Sequence, residues 1–204
     1  MTIRNILCDR DGTIIVDKHY LSNPCEVELL PTVQEGILLA RQHKYFLALI
    51  SNQSGVGRGY FSKEDVEQCN RAMCSHINAE EDSFHAMLYC PHSPEEACSC
   101  RKPALGMWHT LQASHHLQAD SSVMIGDKKE DIEFAINAHF PYAFLVATGK
   151  GRDCMHLLGI TDTNSIHLQD ITEVFTHHYA IDTHYTTIYA VTSFIDAIHH
   201  IMML

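Results

Sequence analysis

The sequence predicts an α/β protein of three layers, α/β/α, with a mainly parallel sheet covered by helices on both faces. Three observations predict it. Short apolar runs alternate with stretches of helical spacing along the first 150 residues. The runs are apolar throughout rather than alternating, as strands buried on both faces must be. The chain has 204 residues, 46% hydrophobic and 19% charged, enough to bury one ordinary core, so residues 1–204 are expected to form a single domain.

The elements follow in order. Residues 3–8, IRNILC, read as a strand ending at Asp9. Residues 31–44 read as a helix opened by Pro31. Residues 44–51, KYFLALIS, are a β-rich run ending at Ser51-Asn52. Ser62 is an N-cap candidate with Asp65 three residues on, and Val66, Cys69, Met73 and Ile77 continue at helical spacing. Residues 84–89 form a strand leading into a cysteine cluster, and residues 106–118 a helix. A strand at 121–127 ends in Gly-Asp, a helix covers 130–140, and residues 142–149 are another strand. Residues 188–201 supply a last strand and a closing helix, while 152–187 resist assignment.

Bulk properties exclude several classes. With 14 basic against 25 acidic residues the net charge is −11, so no basic footprint for nucleic acid exists. No run reaches the ~18 apolar residues of a membrane span, and the N-terminus lacks a basic segment followed by a long apolar one. A cytoplasmic protein with no nucleic-acid or membrane partner is expected. An anionic substrate stays compatible with the acidic surplus, since a few cations and a metal reverse the field inside one cleft. The 16 histidines, some in pairs such as His177-His178 and His199-His200, read as surface composition.

The chemistry collects where apolar strands stop. Asp9-Arg10-Asp11-Gly12-Thr13, Ser51-Asn52-Gln53-Ser54-Gly55 and Gly126-Asp127-Lys128 all fall at strand ends. In open α/β sheets ligands bind beyond the carboxyl ends of the strands, so the three signatures converge on one cleft. Two carboxylates two residues apart can divide the work of phosphoryl transfer. One attacks phosphorus, and the other protonates the leaving oxygen and later deprotonates water. A solvated Asp-Gly turn is the plain alternative for this pentapeptide. Asp127 can hold Mg²⁺ with Asp9 and an oxygen of Asp11; Asp131, one helical turn on, would orient Asp127 or a metal-bound water. Ser51 can donate to a phosphate oxygen and Lys102 can supply a cation. There is no GxxxxGK[ST], no GxGxxG opening a helix and no GxSxG, which argues against P-loop, dinucleotide and α/β-hydrolase chemistry.

A second cluster lies at 90–100. Cys90-Pro91-His92 is followed, after five residues, by Cys98-Ser99-Cys100. Three thiols and an imidazole make a closed tetrahedral Zn²⁺ set, structural because no coordination position stays open. Such a staple would hold Arg101 and Lys102 over the cleft. The other cysteines are scattered, as in a reduced protein.

Together DRDGT, SNQSGVGRG, CPH…CxCRKP, GDKxED and TGKG, in register from about residue 3 to 151, resemble the haloacid dehalogenase-like phosphatases, and within them the D-glycero-D-manno-heptose 1,7-bisphosphate 7-phosphatases. The resemblance implies a Rossmannoid domain without a large cap, acting as a monomer on a small phosphorylated sugar in lipopolysaccharide precursor synthesis. By position it implies Asp9 as nucleophile, Asp11 as general acid/base, and Ser51 and Lys102 as the phosphate-stabilising pair. It places Mg²⁺ on Asp9, Asp11 and Asp127, and Zn²⁺ on Cys90, His92, Cys98 and Cys100. Substrate contacts fall on Asp9, Arg10, Asp11, on Asp17, Lys18, His19 and Tyr20, on Ser51, Asn52, Gln53 and Ser54, and on Arg101, Lys102 and Lys128. Ser51 departs from the family's usual Thr, the zinc loop is short, and a His-rich stretch near 153–185 reads as an insert.

Histidinol-phosphate phosphatase is the nearest rival, sharing the DRDGT motif and the zinc loop, but the Gln53-Ser54-Gly55-Val56-Gly57-Arg58-Gly59 stretch matches the heptose pattern. Another small sugar phosphate is a third reading. A non-catalytic zinc-binding interaction protein is a fourth, and it would have no need of Asp9 and Asp11.

Overall fold

Among the described residues seven strands make one sheet in the order β3-β2-β1-β4-β5-β7-β6. A computed structural model describes residues 2–78, 82–157, 172–178 and 185–204. β1 (Asn5–Cys8) sits near the middle, parallel to β2 (Phe46–Asn52) on one side and to β4 (Ser122–Gly126) on the other. β3 (Ala86–Cys90) extends the sheet beyond β2, and β5 (Tyr142–Val146) beyond β4. β7 (Tyr185–Val191) pairs parallel with β5, and β6 (Thr172–His178) closes that edge antiparallel to β7.

The helices between them are α1 (Val33–Gln42), the one-turn α2 (Ser54–Gly57), α3 (Lys63–Ile77), α4 (Gly106–His115), α5 (Lys129–Asn137), α6 (Gly151–Leu157) and α7 (Phe194–Ile201). They divide by face because successive strand residues point to opposite sides. Ile6 and Cys8 of β1, Leu47 and Leu49 of β2, and Val123 and Ile125 of β4 pack with Ile37, Met73 and Ile198 from α1, α3 and α7. Leu7, Ala48, Ile50 and Met124 pack on the other side with Trp108, Phe134 and Met155 from α4, α5 and α6. Among the described residues no connection between strands builds a separate cap domain.

Local chemistry sets the ends. Ser62 and Asp65 close a reciprocal capping box on α3, as their spacing predicts. Pro31 does not open α1: the N-cap is Thr32, in left-handed backbone at φ 67°, so the proline lies one residue outside the helix. α2 and α6 are additions to the elements read from sequence; at 4 and 7 residues neither carries two periods of an apolar stripe. The stretch near 153–185 joins the sheet through β6, while residues 158–171 and 179–184 lie outside the described residues. His200 is not surface composition. Both its ring nitrogens are buried without a hydrogen-bond partner among the described residues, and its ring packs 4.2 Å from that of Tyr189.

Candidate active site

The carboxyl ends of β1, β2 and β4 meet because β1 is flanked by the other two in register, Cys8 lying opposite Leu49 and Ile125. The next residues on each strand are therefore neighbours. Asp9 donates its backbone N–H to Ile125 O at 3.0 Å and aims its carboxylate at the base of a cleft of about 440 Å³.

Lys102 reaches that base from the far side of the cysteine loop. Its Nζ donates to Asp9 Oδ1 (2.7 Å), Asp131 Oδ1 (2.7 Å) and Ile50 O (2.8 Å), so all three ammonium protons are used. Asn52 holds the Lys102 backbone, donating to its carbonyl and accepting from its N–H, both at 3.0 Å. Lys128 Nζ donates to Asp11 O at 2.9 Å and lies 3.6 Å from Asp9 Oδ2 and 3.5 Å from Asp127 Oδ1.

These contacts sort the carboxylates. Burial pushes Asp9 up, but the ammonium groups of Lys102 and Lys128 outweigh it and hold its pKa below the ordinary value. Burial raises Asp131 to about 6, since Lys102 pulls it down while Asp9 repels it. Burial, with the charge of Asp9 beside it, raises Asp127 to about 7. Lys102 is raised in turn: its burial opposes the charge, and Asp131 and Asp9 overcome it.

Asp127 is fully buried because glycine backbone closes over it. A Cβ on Gly12 (φ +89°) or on Gly149 (φ +54°) would stand 2.2 Å from Asp127 Oδ2. Lys150 N–H donates to the same oxygen at 2.8 Å, and Thr148 Oγ1 ties the Gly12 carbonyl at 2.7 Å.

Asp11 is held differently. Arg10 Nε and Nη2 donate to its two oxygens, each at 3.1 Å, and Gln53 Nε2 donates to Oδ2 at 2.8 Å. Arg10 also donates to Gln53 Oε1 (3.0 Å) and to Asn70 Oδ1 (2.9 Å) on α3, and its side chain is only 1% exposed. The guanidinium fork therefore aims the Asp11 carboxylate, and Arg10 is not among the residues that line the cleft. Asp131 gives its oxygens to Lys102 and, at 3.1 Å, to the Lys128 N–H, and no bond joins it to Asp127 among the described residues, so its direct effect is to position Lys102.

Asp17, His19 and Tyr20 line the cleft, as do Asn52, Gln53 and Ser54 and, on the opposite wall, Arg101 and Lys102. His19 and Tyr20 both take left-handed backbone, at φ 48° and 56°, in the loop over the opening. Arg101 Nη1 is buried with no hydrogen-bond partner among the described residues. Lys18 turns out of this cleft and donates to Glu26 O at 2.8 Å. Ser51 is buried below the floor, its Oγ accepting from Gln53 Nε2 at 3.0 Å. Phe61, Glu130 and Lys150 line the cleft unforeseen, and Asn70 orients Arg10 unforeseen. Asn70 had a signal: it is a polar residue on the stripe that Val66, Met73 and Ile77 make on α3.

Two donor sets suit metal ions. Asp9 Oδ2, Asp11 O and Asp127 Oδ1 surround one point, where Lys128 Nζ now sits; hard oxygens alone, with room for water, match Mg²⁺. In the loop after β3, the Cys90, Cys98 and Cys100 sulfurs lie 3.0–3.5 Å apart, and His92 Nδ1 is 3.6 Å from Cys90 Sγ and 3.2 Å from Cys100 Sγ. A tetrahedron with such edges has its centre roughly 2.1 Å from each corner, near the ~2.3 Å of Zn–S and ~2.0 Å of Zn–N bonds. The loop is anchored to the cleft wall, with Cys90 O accepting from Gln53 N–H at 2.7 Å and Pro91 O from Gly57 N–H at 2.8 Å.

A parallel sheet with paired aspartates after its first strand, a lysine on the first of them and a third aspartate across the strand ends defines a class, the aspartate-based phosphotransferases. Known proteins narrow it. The HAD-hydrolase-like family profile matches residues 99–174. The D-glycero-beta-D-manno-heptose-1,7-bisphosphate 7-phosphatase of Haemophilus influenzae is 36% identical over 153 residues, 71% of this chain and 82% of that one. A probable enzyme of the same name from Thermoplasma volcanium is 31% identical over 144 residues, 70% of this chain and 99% of its own. In three dimensions, the D,D-heptose 1,7-bisphosphate phosphatase of B. bronchiseptica, solved with magnesium and phosphate, superposes with a TM-score of 0.78 at 22% identity, over 98% of this chain and 99% of that one. The chain belongs to the haloacid dehalogenase-like phosphatases, hydrolases of phosphoric monoesters, and within them to the family of these heptose bisphosphate phosphatases.

Proposed function

We propose that this chain, as one domain, removes the 7-phosphate of D-glycero-D-manno-heptose 1,7-bisphosphate through an aspartyl phosphate on Asp9. The observation that carries the reading is Asp9 itself: a buried carboxylate kept ionised by Lys102 and Lys128 at the floor of a cleft rimmed by cations. The substrate of these relatives supplies the sugar.

Asp9 attacks phosphorus, and the bond to the sugar oxygen breaks as a phosphoryl–Asp9 bond forms. Asp11, aimed by the Arg10 fork and by Gln53, gives its proton to the leaving oxygen. It then takes a proton from the water that attacks the phosphoryl group and frees inorganic phosphate. Lys102, its three protons held by Asp9, Asp131 and the Ile50 carbonyl, offers the phosphate its charge through Asp9, and Ser51 supports Gln53 by accepting from its amide. Arg101, with one buried nitrogen unpartnered among the described residues, takes the second phosphate. Mg²⁺ held by Asp9, Asp127 and the Asp11 carbonyl supplies charge neutralisation for the meeting of two anions. Zn²⁺ held by Cys90, His92, Cys98 and Cys100 keeps the Arg101-Lys102 wall in place. The expected setting is the cytoplasm and the expected state a monomer; no helix among the described residues is long and apolar enough to cross a membrane.

The test is a comparison of kcat/KM for the α and β heptose 1,7-bisphosphates, fructose 1,6-bisphosphate and histidinol phosphate. A heptose bisphosphate should lead by at least about tenfold; a lead for histidinol phosphate overturns the substrate.

A further inference from the structure

Two lysines reach the floor of the cleft, and they are held in different ways. Lys102 is 2% exposed and spends its three donors on three acceptors within 2.8 Å, so it is locked. Lys128 is 27% exposed and makes one short bond, to Asp11 O at 2.9 Å. Its other contacts are longer charge contacts, to Asp127 Oδ1 (3.5 Å), Asp9 Oδ2 (3.6 Å) and Asp17 Oδ2 (3.8 Å). An ammonium shared loosely among four oxygens is a counter-ion rather than a fixed partner.

The oxygens it shares include the three that fit a dication. Asp9, Asp127 and Asp131 form a buried acidic cluster that Lys102 alone would leave under-neutralised. Lys128 supplies the missing charge. A dication on the same oxygens makes that charge surplus, and like charges at this range repel strongly in a desolvated pocket. The cleft that Lys128 already lines with Lys102 and Arg101 is open to the displaced side chain.

We propose that Lys128 is a tethered competitor of the catalytic cation: it holds the metal's oxygens until a dication displaces it, and displacement delivers it to the phosphate of the substrate. The proposal rests on the magnesium reading above. It makes metal and phosphate binding mutually reinforcing, because the metal turns a lysine engaged with carboxylates into one free for an anion.

Calorimetric titration of the magnesium-free protein, its zinc in place, tests it without turnover. Mg²⁺ should bind K128M roughly tenfold tighter than the wild type, within the usual range of coupling between sites. K128R, which keeps a cation, should bind Mg²⁺ no more tightly than the wild type. Inorganic phosphate should bind the wild type more tightly with Mg²⁺ than without, and K128M should lose most of that gain. K128Q, whose amide can still donate to the Asp11 carbonyl, carries the same test if K128M does not fold. Equal or weaker Mg²⁺ binding by the neutral variants, in a protein whose binding D127N abolishes, overturns the proposal and spares the magnesium site. Mg²⁺ binding that D127N leaves intact overturns both.

Discussion

Replacing Lys102 with methionine should convert the floor of the cleft into a pH-dependent liability. The side chain's stem is kept and its ammonium lost, together with bonds of 2.7, 2.7 and 2.8 Å. Asp9 and Asp131, 4% and 1% exposed, then share a buried pocket without the cation that lay between them. Breaking a buried ion pair by removing one partner costs about 3–5 kcal/mol. Protonation caps that cost. Neutralising one carboxylate of ordinary pKa 3.8 at pH 7 takes about 4.4 kcal/mol, at about 1.36 kcal/mol per pH unit. The same proton costs about 1.6 kcal/mol at pH 5. K102M should therefore be about 3–4 kcal/mol less stable than the wild type at pH 7, and one extra bound proton should recover up to about 2.7 kcal/mol by pH 5. The sign follows because the variant's folded-state carboxylates lie above their unfolded value, so their stabilisation grows as pH falls. Urea unfolding in EDTA, followed by the fluorescence of Trp108 in the core, measures both quantities. A deficit under about 1 kcal/mol, or one that does not change with pH, would refute the reasoning.

Metal analysis should find about one zinc per chain, and Cys98→Ser should lose it together with phosphate affinity, because the loop carries Arg101 and Lys102. In EDTA the wild type should lose stability as pH rises through about 7. Asp127 is raised to that value, and the stabilisation its proton gives is complete only below the unfolded 3.8. Saturating Mg²⁺ should remove that loss, and an unchanged slope would deny the metal its place on Asp127. Gly12→Ala should abolish Mg²⁺ binding and turnover, since its Cβ would meet Asp127 Oδ2 at 2.2 Å in backbone of φ +89°; a variant with normal Mg²⁺ affinity would contradict that packing.

Much of the site was legible because its residues sit where apolar runs end. Asp9 and Asp127 follow β1 and β4, Ser51 is the last residue but one of β2, and burial on both faces makes each run uniform and its polar stop abrupt. The Cys90, His92, Cys98 and Cys100 set was legible through ligand type within eleven residues of chain. Arg10 was not, because neighbours in sequence carry no information about which way a side chain turns once the strand has ended. It turns inward because Asp11, Gln53 and Asn70 offer acceptors there. The bond of Asp131 to Lys102 was hidden for a related reason. Helical spacing ties it to Asp127, yet its strongest partner is Lys102, 29 residues away in the chain and brought close only by the sheet. α2 and α6 escaped because a helix of one or two turns is held by its surroundings rather than by its own periodicity.

The account stands on Asp9 as the group that takes the phosphoryl. Acid-quenched enzyme incubated with ³²P-labelled heptose bisphosphate should carry hydroxylamine-labile label on the peptide containing Asp9, and Asp9→Asn should carry none and turn over no substrate. Near-normal turnover by Asp9→Asn, or label on any other residue, would contradict it.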